Sequence, residues 1–128
     1  RPIRVRSKGG RFSIEIFPGA LVMTEEIERQ RGKPFVRHSI VRRVAGATFE
    51  AVCSSQFSQM GEKLVAAGAQ RRGRHPAGGT LFYLSKRNAH FRVVESKTRA
   101  CIVSVEDPKG QLRKGIAAAF LSVFEMDS

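Results

Sequence analysis

The sequence is poor in cysteine and contains no long apolar run, and both shortages exclude classes of protein. Two cysteines cannot build the disulfide framework of a small secreted scaffold, so we expect Cys53 and Cys101 to be reduced, buried thiols in a reducing compartment inside the cell. No apolar segment approaches the ~20 residues that span a bilayer, and we find no basic amphipathic helix of the interfacial kind, so we expect no membrane partner. The chain begins at Arg1, as expected of a processed or trimmed form whose targeting peptide would not be visible.

Acidic residues are also scarce. The 11 Asp and Glu face 23 Lys and Arg, which gives a net charge of +12 over 128 residues. Arginine supplies 16 of those cations, and its planar guanidinium matches phosphate bidentately and stacks on bases. Such a surplus predicts a polyanionic partner, of which nucleic acid is the commonest.

Catalytic motifs are missing as well. The three histidines have no metal-ligand spacing, and neither a nucleophile elbow nor a P-loop is present. Glu25, Glu26 and Glu28 lie on one predicted strand, where Glu25 would point away from the other two, so a solvated edge is favoured over a magnesium site. We therefore expect no enzyme, no catalytic residue, no metal and no cofactor.

The first half of the chain predicts antiparallel strands followed by a helix. Four runs have the alternation of half-buried strands and are separated by turns rich in Gly and Pro: residues 3–6, 12–16, 21–28 and 35–44. The apolar spacing then becomes helical, which predicts an amphipathic helix over residues 48–67. Thr48 is its expected N-cap and Gly68 its expected stop.

The second half repeats this order. Residues 70–79 form a basic segment that we expect to be a mobile loop, either a disordered connector or a flexible RNA-binding segment. Three strand-like runs follow, at residues 80–86, 90–96 and 99–105. Asp107 as N-cap and Pro108 in the first helical turn then predict an apolar helix to the end of the chain. We expect one α+β domain over residues 1–128, with halves 1–69 and 80–128 joined by the basic loop.

Strands followed by a helix, used twice in a small basic chain, resemble the Whirly and PUR group of single-stranded nucleic-acid-binding proteins. Most of the likeness lies in residues 100–126, where the strand Cys101-Ile102-Val103-Ser104-Val105 leads into an apolar helix. The arginine content is closest in character to the kinetoplastid mitochondrial RNA-binding proteins, which anneal guide RNA to messenger. No diagnostic motif carries the resemblance, so no site residue is taken from it.

The resemblance implies a ββββα-ββββα layout of antiparallel sheets. It also implies bases bound on exposed sheet surfaces and a homo- or hetero-tetramer, which we expect to assemble through the helices. A mitochondrial location follows from the same likeness.

The candidate binding residues come from the chain itself. Cations on the non-core faces of strands and at hairpin ends are expected to contact phosphates: Arg4, Arg6, Arg11, Arg29, Arg31, Lys33, Arg37, Arg43, Lys86, Arg87, Arg92, Lys97 and Arg99. Three aromatic residues outside the main apolar faces are candidates for base stacking, with core packing or an oligomer contact as the alternative: Phe17, Phe35 and Tyr83.

These residues predict a sequence-tolerant single-stranded RNA-binding protein that acts through a basic sheet surface. Without a basic recognition helix, a duplex reader is disfavoured. We expect such a protein to promote annealing of RNA strands, such as guide RNA with messenger during editing or processing. Two alternatives stay open: a basic structural protein of a ribosome or other ribonucleoprotein, and a single-stranded DNA-binding or transcription protein of an organelle.

Overall fold

The computed structural model describes residues 1–30 and 32–127, without the side chains of residues 28–30, 33 and 34. Within these residues the first half contains five strands and a short helix: β1 (Ile3–Ser7), β2 (Phe12–Ile16), β3 (Val22–Gln30), β4 (Lys33–Val44), β5 (Ala47–Ser54) and α1 (Met60–Ala66). The second half contains β6 (Gln70–Arg74), β7 (Thr80–Leu84), β8 (Ala89–Glu95), β9 (Ala100–Glu106), α2 (Ile116–Ser122) and β10 (Phe124–Met126).

The strands form two antiparallel sheets. The larger has seven strands in the order β3-β4-β5-β9-β8-β7-β6, and the smaller has the order β1-β2-β10. Strand β9 pairs with β5 along its whole length, so the two halves of the chain share one sheet. The expected α+β class with antiparallel sheets is therefore confirmed, whereas the repeated four-strands-then-helix layout is not.

The main core lies between one face of the large sheet and a layer made of the small sheet and α2. Alternation places Phe49, Val103 and Val105 on that face, where they are buried against α2 and the small sheet. The ring of Phe49 meets that of Phe120 in α2 at 5.1 Å between centroids, in an edge-on arrangement. On the opposite face, α1 covers the β6–β8 end, where Phe82 belongs to a second, smaller core.

The helix expected over residues 48–67 is wrong in its first part. Ala47, Phe49, Ala51 and Cys53 are all buried and alternate with half-buried residues along β5. The apolar residues of this stretch fit a period of two as well as a helical one, and pairing with β4 and β9 on both sides selects the strand. Thr48 therefore pairs across strands and caps no helix.

The second predicted helix is much shorter than expected. The carboxylate of Asp107 accepts hydrogen bonds from the backbone N–H groups of Gln111 (3.1 Å) and Leu112 (3.0 Å), which closes a turn. Gly110 and Gly115 then adopt φ values of 62° and 90°, in the left-handed region that no right-handed helix passes through. The helix consequently begins only at Ile116, and the chain turns back into β10.

The basic loop expected over residues 70–79 is also wrong in part. Gln70–Arg74 is the edge strand β6, which pairs with β7 through a bulge between Arg71 and Gly73. Only the residues that follow form the turn of a hairpin. A run of arginines reads as a loop in sequence, but charged side chains are also typical of the edge of a sheet.

Cys53 and Cys101 form a disulfide, which corrects the expectation of two reduced thiols. They lie directly opposite one another on β5 and β9, with Cα atoms 4.1 Å apart. Closing a loop between residues 48 positions apart would stabilise the fold by about 4 kcal/mol in the chain-entropy account.

Each described α-helix has seven residues, and neither is long and apolar enough to cross a membrane.

Candidate nucleic-acid interface

The surface that the sequence predicts as a basic platform carries both signs of charge. We call it the open face: the side of β3, β4, β5 and β9 that faces away from the small sheet, bearing Glu26, Arg37, Arg43, Glu50 and Glu106. Arg37 forms an ion pair with Glu26. Burial raises the pKa of Glu50, an effect that the charges of Arg37 and Arg43 oppose. The open face is thus a mixed surface.

Arg87 at the margin of the open face is also engaged. Its guanidinium makes two hydrogen bonds to the carboxylate of Glu106, one of them 2.8 Å long from Nε. The hydrogen bonds from Arg87 lower the pKa of Glu106, while burial opposes that shift. The pair neutralises a cation that the sequence assigned to phosphate binding.

Cations of the small sheet are paired in the same way. Arg4 donates to Ser13 Oγ at 3.0 Å and lies 3.3 Å from the carboxylate of Glu15. Arg6 makes a two-point ion pair with Asp127, beyond the end of β10. Each arginine thus has a carboxylate partner that would compete with a phosphate.

Arg92 is not on the surface, and its assignment to RNA contact is wrong. Its exposed fraction is 2%, because the face of β8 that carries it is the covered one. The guanidinium donates to the carbonyl oxygens of Ala77 and Gly78 in the β6–β7 turn. It also donates to those of Leu121 in α2 and Phe124 at the start of β10. Arg92 therefore ties the hairpin to the helix, and burial lowers its pKa.

The remaining predicted cations fall into three groups. Arg43, Lys86 and Lys97 are exposed and make no ion pair within the described part of the chain. Arg11 and Arg99 come together in a small pocket at the start of β9. The side chains of Arg29 and Lys33, and the whole of Arg31, lie outside the described residues.

The predicted stacking residues have different surroundings. Phe17 is exposed to 48% in the segment after β2. Phe35 is half-buried and its ring packs against that of Phe57, with 5.6 Å between centroids, but neither ring belongs to the two hydrophobic cores. Tyr83 is half-buried on β7, and its ring lies 4.8 Å from that of His90. Of the three, only Tyr83 lines a groove with cations around it.

That groove, the α2 groove, lies between strands β6–β8 and helix α2. It has a volume of about 590 Å³ and is lined by Arg72, Tyr83, His90, Arg113 and Lys114, with apolar side chains between them. The guanidinium carbon of Arg72 lies 5.1 Å from the centre of the Tyr83 ring. The Tyr83 hydroxyl donates to Asn88 Oδ1 at 2.9 Å, which fixes the orientation of the ring. A groove of this size suits a small ligand or a few nucleotide units.

The groove is electropositive because its cations are not neutralised. Arg72, Arg113 and Lys114 are exposed and make no ion pair among residues 1–30 and 32–127. The one carboxylate in the lining, Asp107, is 5% exposed and accepts two backbone N–H hydrogen bonds. The lining thus carries three cations against one carboxylate, and a concave site with such a surplus attracts an anion.

Local geometry explains why these cations meet. Alternation along β6 places Arg72 on the groove side, while Arg71 stacks over Phe82 on the other face at 5.3 Å. Asn88 Nδ2 donates to the carbonyl oxygen of Asp107 at 2.9 Å, and Asp107 in turn closes the segment before α2. That segment carries Arg113 and Lys114 to the wall of the groove.

Two histidines line the groove in an environment that disfavours their charged form. Burial, with the charge of Arg92, lowers the pKa of His75; burial, with that of Arg72, lowers the pKa of His90. His75 Nδ1 accepts a hydrogen bond from the N–H of Ala77 at 3.0 Å, so its Nε2 donates to Ser122 Oγ at 3.1 Å. His75 thus links the hairpin to α2 while neutral.

Sequence reasoning found Tyr83 but missed the cations beside it. Arg72 belonged to the basic segment, whose arginines were not placed among the candidate contacts. Arg113 and Lys114 fell within an expected helix, and an exposed cation on a helix does not by itself indicate a binding site. The glycines at 110 and 115 are the signal that could have revealed a turn there, since glycine is the default residue for left-handed backbone.

Comparison of the chain with protein-family models, with curated proteins and with solved structures finds no match. Within the described residues, no group of three or more His, Cys, Asp or Glu side chains could hold a metal ion. The α2 groove offers the chemistry of its own side chains: cations, a type of group that can bind phosphate, and aromatic rings, which can stack on a base.

Proposed function

We propose that the chain binds single-stranded RNA in a sequence-tolerant manner and that the α2 groove holds part of the strand. The observation that supports this is that the Tyr83–His90 ring pair shares one concave site with three exposed cations that have no ion-pair partner among the described residues. Stacking tolerates any base, and cations that neutralise phosphates read no sequence. The basic sheet surface of the sequence prediction is thereby replaced by a groove at the edge of the sheet.

Single strands fit this site better than a duplex. Tyr83 can stack only on a base whose face is exposed, and bases in a duplex are covered by their neighbours. Neither described helix presents a row of polar side chains for a major groove, since α2 is almost wholly apolar. The sugar is not read by these contacts, so single-stranded DNA is the natural comparison ligand.

The proposed consequence of binding is annealing. Neutralising phosphates on two strands lowers their mutual repulsion, and unpaired bases remain ready to pair. Guide RNA with messenger is the pair that the Whirly-like resemblance suggests. The tetramer and the mitochondrial location are further parts of this proposal. Within the cell, the Cys53–Cys101 disulfide favours an oxidising compartment, where such bonds persist.

Binding is tested with a fluorescent RNA strand, the same strand in a duplex, and the matching DNA strand, at several salt concentrations. We expect the RNA strand to bind about tenfold more tightly than the duplex, because stacking is worth ~1–3 kcal/mol per base. The binding constant should fall steeply with salt, since each neutralised phosphate adds about 0.7 to the slope. Equal affinity for strand and duplex, or a flat salt response, would contradict the proposal.

Annealing is tested separately, by following the pairing of two complementary strands with and without the protein. An accelerated rate at unchanged yield is expected of a matchmaker. Tight binding with no acceleration would reduce the role to that of a binder.

Sizing of the purified chain in the same buffer tests the tetramer, and a monomer would favour the alternative of a structural ribonucleoprotein component.

A further inference from the structure

A second cationic pocket lies at the opposite end of β9 from the α2 groove. Its volume is about 270 Å³, and Arg11, His38 and Arg99 reach it from three separate segments: the β1–β2 turn, β4 and the start of β9. The hydroxyl residues Ser55 and Thr98 complete its polar wall. Seven residues of extended chain separate the two sites, or about 20 Å.

The charge and geometry of the pocket lining suit an anion. Its lining contains no carboxylate among the residues that the structure describes. Arg99 donates through Nη1 to the carbonyl oxygen of Gly10 at 2.8 Å, which fixes its planar group against the turn that carries Arg11. Arg11 is exposed and has no ion-pair partner in the described chain. Glu25 pairs with His38 in the strand register, but it is exposed and does not line the pocket.

The backbone around the pocket restricts the residue types at two positions and holds a third residue in an unusual conformation. A Cβ on Gly9 would lie 2.5 Å from Cε1 of His38, and one on Gly10 would lie 2.8 Å from the Cβ of His38, so both positions require glycine. Arg11 adopts φ 55°, a left-handed conformation that only a few per cent of non-glycine residues adopt. The N–H of Asp127 holds it there through a 2.8 Å hydrogen bond to the Arg11 carbonyl oxygen. Unusual backbone that its surroundings hold in place is typical of binding sites.

We propose that this pocket binds a phosphate group, held by the guanidinium groups of Arg11 and Arg99 and by the hydroxyls of Ser55 and Thr98. Planar guanidinium groups match the oxygen pairs of a phosphate, and no side chain of the lining repels its charge. The phosphate belongs either to a nucleic-acid strand or to a small free compound. The inference does not depend on RNA binding in the α2 groove.

The test uses inorganic phosphate as the probe, with sodium chloride at equal ionic strength as its control. Phosphate should raise the melting temperature in a saturable manner, and calorimetry should give one site per chain. Arg11→Asn removes the charge with a residue that tolerates left-handed backbone, and should weaken phosphate binding about tenfold. Arg99→Lys keeps the charge but loses the planar fork, so it should also bind phosphate more weakly. Arg43→Gln, a change of equal charge on the open face, should leave phosphate binding unchanged.

The two sources of phosphate are distinguished by adding saturating inorganic phosphate to the RNA titration, again against chloride. Competition with RNA would assign the pocket to a backbone phosphate, and unchanged RNA affinity would assign it to a small phosphate compound. The proposal is overturned if chloride reproduces the effect of phosphate. It is equally overturned if Arg11→Asn and Arg99→Lys both bind inorganic phosphate as the unmodified chain does.

Discussion

The open face and the α2 groove are both rich in cations, yet they differ in what surrounds each cation. On the open face, Arg37 pairs with Glu26 and Glu50 lies close by. In the groove, Arg72 and Arg113 have no carboxylate partner in the described chain, and Asp107 is occupied by backbone N–H groups. Under the proposed function, the groove is distinguished by cations that lack an ion-pair partner in the described chain, and not by a larger number of cations.

Arg92 differs most from the groove cations, because it is buried and its hydrogen bonds join separate parts of the fold. Arg92→Met would leave four carbonyl oxygens of the β6–β7 turn, α2 and β10 without this donor. We expect the free energy of unfolding to fall by about 3 kcal/mol or more, as measured by urea denaturation. An unchanged stability combined with weaker RNA binding would show that Arg92 is a ligand contact instead.

Tyr83 should distinguish stacking from simple charge attraction in the groove. Tyr83→Leu removes the ring and should weaken RNA binding by ~1–3 kcal/mol, while the salt slope stays the same. Tyr83→Phe is the matched control: it keeps the ring and loses only the hydrogen bond to Asn88. Affinity should be measured by fluorescence anisotropy, and equal losses in both variants would exclude stacking.

The histidines of the groove predict opposite responses to pH for binding and for stability. Because the pKa values of His75 and His90 are lowered in the folded chain, the unfolded chain takes up protons first. Their contribution to stability is thus present above the ordinary histidine pKa of about 6.5 and declines as the pH falls below it. Protonation adds charge to the groove, so RNA affinity should instead rise by about twofold to fivefold on acidification.

This pH response is measured by binding and urea titrations at pH values on either side of that pKa. His90→Gln should reduce the rise in RNA affinity, since it removes one of the two titrating rings from the groove. A parallel decline of affinity and stability on acidification would contradict the placement of the RNA beside these rings.

The smallest effect is expected on the open face. Glu26→Gln breaks the exposed ion pair with Arg37, which should change stability by only ~0–1 kcal/mol. RNA affinity should change less than twofold, because this face lies outside the groove. An affinity gain of several-fold would mean that freed cations of the open face do bind RNA, and the contrast between the two regions would fail.

How far the sequence predicts this molecule can be judged from particular elements. The alternation of Phe12, Ile14 and Ile16 predicts β2 correctly, because these apolar residues share one face and polar residues occupy the other. The stretch around Phe49 fits two periods, and only its neighbours β4 and β9 select the strand. Local patterns are therefore informative where apolar residues occupy one face only and fail where long-range pairing decides.

The candidate site was less accessible to prediction than the fold. Alternation separates Arg37 and Arg92 from their apolar neighbours, as predicted, but the sequence does not reveal that Arg37 is paired with Glu26 or that the face of β8 carrying Arg92 is the covered one. The cysteines illustrate the same limit. Their direct opposition on β5 and β9 depends on a register between residues far apart in the chain.

The central claim is tested most directly by two charge-matched double variants compared for RNA binding across a range of salt concentrations. Arg72→Gln with Arg113→Gln removes two groove cations, and Arg43→Gln with Lys63→Gln removes two exposed cations elsewhere; each lowers the net charge from +12 by two, to +10. The account predicts that the groove variant loses about 1.4 from the salt slope, as expected for two phosphate contacts at ~0.7 each, and binds at least about tenfold more weakly. The other variant should bind nearly as the unmodified chain does. Equal losses in the two variants would contradict the account, because RNA would then respond to overall charge and not to the groove.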